Sequence, residues 1–585
     1  MAHPVTALRP KGILTWVQRQ VRASEAIFIL LAIGVGAGSG LLAVAQGALA
    51  RSLQRILFHL PPSLRLSEMP SLGWVTLLAL PLGGGALAAF SALTRARNRR
   101  LVDAVEANAL HGGRMSLSDS LVISGQTILS NGFGASVGLE AAYAQIGGAL
   151  ASVSGTMLRL RRADLRNLVG AGTGAAIGAA FGAPLAGAFY AFEIVIGAYT
   201  PSAIAPVAAA SLAGALVAQL VGSTPYLIDA TSATPVETHH YLIYGGLGAI
   251  CALLGIVLMR AVALAETGSR RLPGPDWVRP IIGGALLIPI ALVSPQVLSG
   301  GHGALHVDLT LGAPMAPIAL ILVAKAGASI VSLGFGFRGG LFFASLFLGT
   351  LVGHLFAGML NLSLGYTVID PRNAALVGMA ALSVSVIGGP MTMAMLVLEV
   401  THDFGVTGAV IAASLVASTI VRELFGFSFS TWRLHLRGET VKSARDVGWM
   451  KNLTAGSMMR RETRATSAEM PIAEFRHKFP LGSATRVTLF DANDGYAGIV
   501  TVADAFAEGI DQSAPVAAIA SEEDRWLTPE MDIGSVMTAF DAAGVDELAV
   551  LASSGAVLGR LSETHVRRRY AEEVEKSQRE LFGEI

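Results

Sequence analysis

SNGFGASVGLEAAYAQIGG, residues 130–148, lies inside a long apolar region and carries a single charged residue, Glu140. Glycine stands here where a membrane helix would favour leucine or isoleucine. The chain has 585 residues, of which 52% are hydrophobic and 14% charged, and a mean hydropathy of +0.58. Soluble domains carry about 25% charged residues. The composition therefore predicts a polytopic α-helical membrane protein, and the stretch poses the question of why a lone carboxylate sits among glycines within a bilayer.

Outward from this stretch, apolar segments recur from about Ala26 to Val421. The segments 26–48, 73–94, 203–221, 241–264 and 279–298 read as simple spans, each near the ~20 residues that cross a bilayer. The segments 117–158, 165–197, 315–360 and 373–421 are too long for one span and are interrupted by glycine, proline or an isolated charge. Such interruptions mark helices that stop partway through a membrane. Residues 1–24 are polar and basic, with Arg9, Lys11, Arg19 and Arg22, and no cleavable signal peptide is visible. Flanking positive charge places this end in the cytoplasm.

The opening stretch has a counterpart. GFGASVGLEAAYAQIGG begins at Gly132 and GFGFRGGLFFASLFLG at Gly334, a shift of 202. Both carry Gly-Phe-Gly, then Gly-Leu, then a glycine at offset fifteen (Gly147 and Gly349). Downstream, APLAGAFYAFE ends on Glu193 and GPMTMAMLVLE on Glu399, a shift of 206, each glutamate nine residues after a proline. Two motifs in one order at nearly one shift predict two related halves, about 73–222 and 279–425. Matched halves with glycine-broken segments point to a transport site at the repeat interface.

A helix starting inside the membrane presents free N–H groups and the positive end of its dipole, roughly +0.5 charge, to whatever lies ahead. That is an anion site without a lysine. Glu140 and Phe342 occupy equivalent positions in the two repeats. Ionised, Glu140 would occupy such a site; protonated, it would vacate it. The bland reading is a carboxylate satisfied by backbone amides, but ionisable groups inside membranes are functional by default. Glu193 and Glu399 end apolar runs and read as structural caps or interface anchors.

Taken together, these motifs resemble the ClC chloride channel and chloride/proton exchanger family over roughly residues 25–437. GLEAAYAQIGG is similar to the family's gating-glutamate motif and GGLFFA to its filter motif. AAFGAPLAGAFYAFE and VSVIGGPMTMAMLVLEVTHDF are similar to long stretches of each half. The resemblance implies an inverted repeat of broken, tilted helices, a homodimer with one pore per subunit, and a multi-pass protein of the cell inner (plasma) membrane with both termini cytoplasmic. It implies Glu140 as the gate and places the anion at Gly138, Gly340, Leu341, Phe342 and Phe429, with the Leu341 and Phe342 amides as donors. No cofactor is required.

Several positions depart from the pattern. Leu139, Ala141 and Ala142 replace the basic residue, glycine and proline around the glutamate, and Ala344 replaces the filter proline. The serine motif should lie near 98–102, where the chain reads NRRLV. Arg99 and Arg100 stand there instead, as vestibule charges or as ordinary cytoplasmic anchors. The pore tyrosine aligns with Phe429. The inner proton-accepting glutamate aligns with Ile194, leaving Glu193 as the neighbouring carboxylate for a proton path. Chloride preference and proton coupling are both expected to be altered.

After about Gly438 the composition turns polar, and 438–585 reads as a soluble domain. TRVTLFDANDGYAGIVTVADAFAE and DELAVLASSGAVLGRLSETHVRRRYAEE each read strand, turn, strand, helix, at a shift of 61 from Gly498 to Gly559. This resembles a cytosolic α/β pair of CBS modules. The resemblance implies Thr501, Asp504 and Ser562 as ligands of an adenine nucleotide, with His565 where a second aspartate would stand. A purely structural pair is the alternative. RRRY at 567–570 reads as a solvated helix face.

The remaining features exclude other classes. The net charge of +1 gives no indication of nucleic acid, and Cys251 is the single cysteine, so there is no disulfide framework. His111, His239, His240, His302 and His306 lack metal spacing, and no catalytic motif is present. The expected activity is transmembrane transport of chloride or a related small monovalent anion, with weak or altered proton coupling. A passive channel and a membrane sensor signalling through the tail are the rivals.

Overall fold

The computed structural model describes residues 18–62, 64–94, 101–223, 234–305, 314–435, 453–461, 464–492 and 495–582. Arg99, Arg100 and His306 lie outside the described residues. The chain divides into two compact units, Met1–Asp446 and Val447–Ile585.

The first unit is helical. Its first half contains α1 (Glu25–Phe58), α2 (Ala79–Thr94), α3 (Ala104–Leu110), α4 (Leu117–Gly132), α5 (Glu140–Met157), α6 (Arg162–Phe181), α7 (Pro184–Tyr190) and α8 (Pro201–Leu220). A π-helical turn, Ala191–Ile196, continues α7. The second half contains α9 (His240–Arg270), α10 (Arg279–Val293), α11 (Met315–Gly334), α12 (Phe342–Leu364), α13 (Pro371–Ile387), α14 (Pro390–Thr401), α15 (Phe404–Leu424) and α16 (Phe429–His435). Among the described residues, eight helices are long and apolar enough to cross a membrane. Their outer faces leave Leu30, Leu49, Ile56, Leu242, Leu264 and Val323 exposed, as a lipid-facing surface would.

The interrupted segments break where glycine and proline fall. The 117–158 segment becomes α4 and α5, 165–197 becomes α6 and α7, and 373–421 becomes α13, α14 and α15. Pro184 and Pro390 each occupy the first helical position, where the missing N–H costs nothing.

The offset-fifteen glycines are explained by packing. A Cβ on Gly147 would collide with the carbonyl of Gly172, and one on Gly349 with the carbonyl of Gly378. Bare backbones thus cross at α5–α6 and again at α12–α13. Small residues allow such close approach where helix packing, not the hydrophobic effect, drives association.

The second unit holds two three-stranded sheets of one design. Strands β1 (Ala465–Ser467), β2 (Arg486–Phe490) and β3 (Tyr496–Thr501) form one sheet, and β4 (Trp526–Leu527), β5 (Glu547–Leu551) and β6 (Val557–Ser562) the other. In each, the first pair is parallel and the second antiparallel. Thr488 faces Ile499 and Ala549 faces Arg560, so the pairing repeats at the sequence shift of 61. The leading parallel strands were not expected. At three and two residues they are too short to show alternation. Each sheet backs its own core, one around Phe475, Val487 and Val500, the other around Phe540, Leu548 and Val550.

Candidate functional site

The two Gly-Phe-Gly loops meet. The Gly138 N–H donates to the Gly340 carbonyl at 3.0 Å, and the Gly340 N–H returns to the Gly138 carbonyl at 3.2 Å. This two-residue bridge sets the starts of α5 and α12 side by side. It also changes the reading of these glycines. Each N–H is engaged by the other glycine's carbonyl, so the two glycines shape the site through their backbone pairing.

Glu140 is the first residue of α5 and is buried, with 4% exposed. Its carboxylate folds back across the bridge, so a side chain on Gly138 would collide with it and a Cβ on Gly340 would lie 2.9 Å from Oε2. Oε1 accepts the Phe343 N–H at 3.0 Å, one of the first-turn amides that lack an intrahelical partner. Oε2 is buried and hydrogen-bonds to no group among the described residues. Leu341 and Phe342, the residues before Phe343, form the N-cap and first turn of α12. The carboxylate of one repeat therefore lies on the helix start of the other.

Aromatic rings line the same place. Phe342 packs on Phe181 at 5.1 Å and on Tyr190 at 6.2 Å between centroids, and Phe343 stacks on His302 at 3.6 Å. Among the described residues no His, Cys, Asp and Glu group could hold a metal.

A buried polar network braces the loop ahead of Glu140. Asn131 Nδ2 donates to the Val137 carbonyl at 2.7 Å and to Ser299 Oγ at 3.0 Å. Gln54 Nε2 donates to Asn131 Oδ1 at 3.0 Å and to Ser299 Oγ at 3.2 Å. Lys325, wholly buried on α11, donates to the carbonyls of Val297 and Ser299 at 3.0 and 2.8 Å. Lys325 was legible as the lone cation of an apolar run and was missed. Gln54, Asn131 and Ser299 carry no such signal.

Glu193 and Glu399 are bound at helix starts. Glu193 accepts the N–H groups of Met391 and Thr392 at 3.0 and 2.8 Å and the Thr392 hydroxyl at 2.7 Å. Glu399 accepts the N–H groups of Leu185 and Ala186 at 2.7 and 2.9 Å. Ile194 borders a cavity of about 190 Å³ with Glu193, Ser385, Ser428 and Thr431. Phe429 is buried at the start of α16, with Arg433 over its ring. Just after the 98–102 stretch, of which residues 98–100 lie outside the described residues, Asp103 caps α3 by accepting the Glu106 N–H at 2.8 Å. Glu106 itself is 2% exposed, and Asn108 ties α3 to the π-helical turn through the Val195 carbonyl at 2.7 Å.

In the second unit, Thr501 ends β3 and Asp504 lies exposed in the short helix that follows. Ser562 ends β6, with His565 in the equivalent helix start.

Two helical halves, joined through facing helix starts around a buried carboxylate, define a transport-type membrane fold. The chain belongs to the voltage gated chloride channel family, whose description matches residues 84–422. Members of this family are channels or transporters, not enzymes. The chain is 29% identical over 347 residues to a putative ClcB-like chloride channel protein of Ralstonia nicotianae, covering 57% of this chain and 80% of that one. It is 26% identical over 357 residues to the voltage-gated ClC-type chloride channel ClcB of Escherichia coli, covering 60% and 85%. Its fold is similar to that of a slow cyanobacterial Cl-/H+ antiporter, with TM-score 0.60 and 21% identity over 70% of this chain and 97% of that one. A eukaryotic CLC transporter superposes with TM-score 0.57 and 18% identity over 94% and 98%.

Proposed function

We propose that this chain moves chloride or a related small monovalent anion across a membrane, through a path gated by Glu140. One observation carries the reading: the Glu140 carboxylate lies on the start of α12 and takes the Phe343 N–H. An anion needs the same donors, so carboxylate and anion compete for them. Protonation of Glu140 releases the site, and the Leu341 and Phe342 amides then serve the anion. No cofactor takes part.

Proton coupling is weak in this reading. Ile194 offers no carboxylate to relay protons, and Glu193 is engaged as a cap. A homodimer in the plasma membrane with both termini cytoplasmic is the assembly we propose, with the second unit as a CBS pair. Its repeated sheets support that assignment, and Thr501, Asp504 and Ser562 are its nucleotide-facing residues. Simultaneous anion and proton flux in liposomes holding the purified protein tests the whole reading. Anion flux without firm proton movement is the expected result; no flux of any anion would turn the fold into a sensor's scaffold.

A further inference from the structure

Tyr190 is the last residue of α7 and is buried, with 8% exposed. Its ring stacks on Phe342 with 24° between the planes, which holds the phenol beside the helix start that faces Glu140. The hydroxyl hydrogen-bonds to no group among the described residues. Tyrosine hydroxyls normally find a partner, and a phenylalanine would pack the same ring. The phenol thus lies beside the α12 start on which the transport reading places the anion.

We propose that Tyr190 donates its hydroxyl hydrogen to the transported anion and so determines how well chloride competes with less hydrated anions. The inference rests on the transport reading above. A small anion leaving water needs donors to replace its shell. Phe429 has no hydroxyl to offer, and the 98–102 stretch NRRLV contains no serine. Tyr190 supplies a donor from a different helix.

The test is Tyr190→Phe, which removes one oxygen and leaves the ring stack. Chloride and thiocyanate fluxes are measured in liposomes over a range of concentrations, beside the wild type, with thermal unfolding as the control. The expected result is a rise of about tenfold in the apparent KM for chloride, the loss of one charge-assisted hydrogen bond. Thiocyanate should change far less, and the unfolding temperature should hold or rise. An unchanged chloride KM in the folded variant overturns the proposal. So does failure of Tyr190→Phe to fold, since that makes the hydroxyl a structural group. A wild type that carries neither anion overturns the transport reading itself and the proposal with it.

Discussion

Glu193 binds the start of α14 and Glu399 binds the start of α7, each through the two N–H groups that follow the helix-opening proline. The relationship is reciprocal: each repeat carries a glutamate that satisfies the other repeat's orphan amides. Together with the Gly138–Gly340 bridge, it ties equivalent positions of the two halves to each other. The two glutamates were read from sequence as caps or anchors, and the geometry makes each a cap in trans. A carboxylate at a helix N-terminus gains from both the free N–H groups and the dipole.

Loss of either cap should therefore destabilise the fold to a similar degree. Glu399→Ala and Glu193→Ala are each expected to cost about 1–2 kcal/mol, the range for removing a helix cap. Thermal unfolding in detergent checks this, with both variants lowering the midpoint by a few degrees. A Glu193 variant that keeps the midpoint yet alters proton movement would place Glu193 in the proton path instead.

Glu140→Gln keeps the side chain's shape and removes its charge. Anion flux in liposomes should then lose its dependence on pH, while the protein elutes and unfolds as the wild type does. The sign follows from the geometry: wild-type flux rises as pH falls, because protonation frees the Phe343 amide and its neighbours. A Glu140→Gln variant with the wild-type pH profile would remove Glu140 as the gate.

The coupling prediction follows from Ile194. Under an anion gradient, reconstituted protein should move few protons per anion, with no fixed ratio. Ile194→Glu should raise that number by adding a carboxylate at the wall of the 190 Å³ cavity. A firm integer ratio in the wild type would show this inference wrong and would direct attention to Glu106, buried on the neighbouring helix α3.

The halves and their breaks were legible because glycine and proline recur at fixed offsets and punctuate apolar runs otherwise broken only by isolated charges. Glu140 was legible as a lone charge. The brace around it was not, since Gln54 and Ser299 are 245 residues apart and ordinary in their local sequence. Ser299 also holds a left-handed φ of 56°, which no residue type announces. The pairing of Gly138 with Gly340 was hidden for a related reason. The family resemblance placed both glycines at the anion site, but only three-dimensional placement shows that each N–H is bonded to the other's carbonyl.

For the second unit, the junctions at Thr501–Asp504 and Ser562–His565 are equivalent under the shift of 61. If nucleotide binds there, ATP or AMP should raise the unfolding temperature of the unit as the logarithm of concentration, in full-length protein with the two transitions followed separately. Asp504→Ala should abolish the shift, and it should leave the fold intact because Asp504 is exposed. Absence of any shift at millimolar nucleotide would leave the repeated sheets with a structural role alone.

Selectivity depends on the donors that replace an anion's water. The amides of Leu341 and Phe342 belong to the backbone and do not vary with side chain. Hydroxyl donors do, and Phe429 lacks one. Each missing donor penalises a strongly hydrated anion more than a weakly hydrated one. With Phe429 in place, nitrate and thiocyanate should permeate more readily than chloride, even with Tyr190 contributing its hydroxyl. Phe429→Tyr should move the preference toward chloride by roughly fivefold to tenfold, the effect of one added hydrogen bond to a charged group. Relative permeabilities from reconstituted protein under matched gradients provide the measurement. Strong chloride preference in the wild type, unmoved by Phe429→Tyr, would mean that Phe429 does not face the anion and that Ser428 or Ser430, which border the 190 Å³ cavity, supply donors in its place.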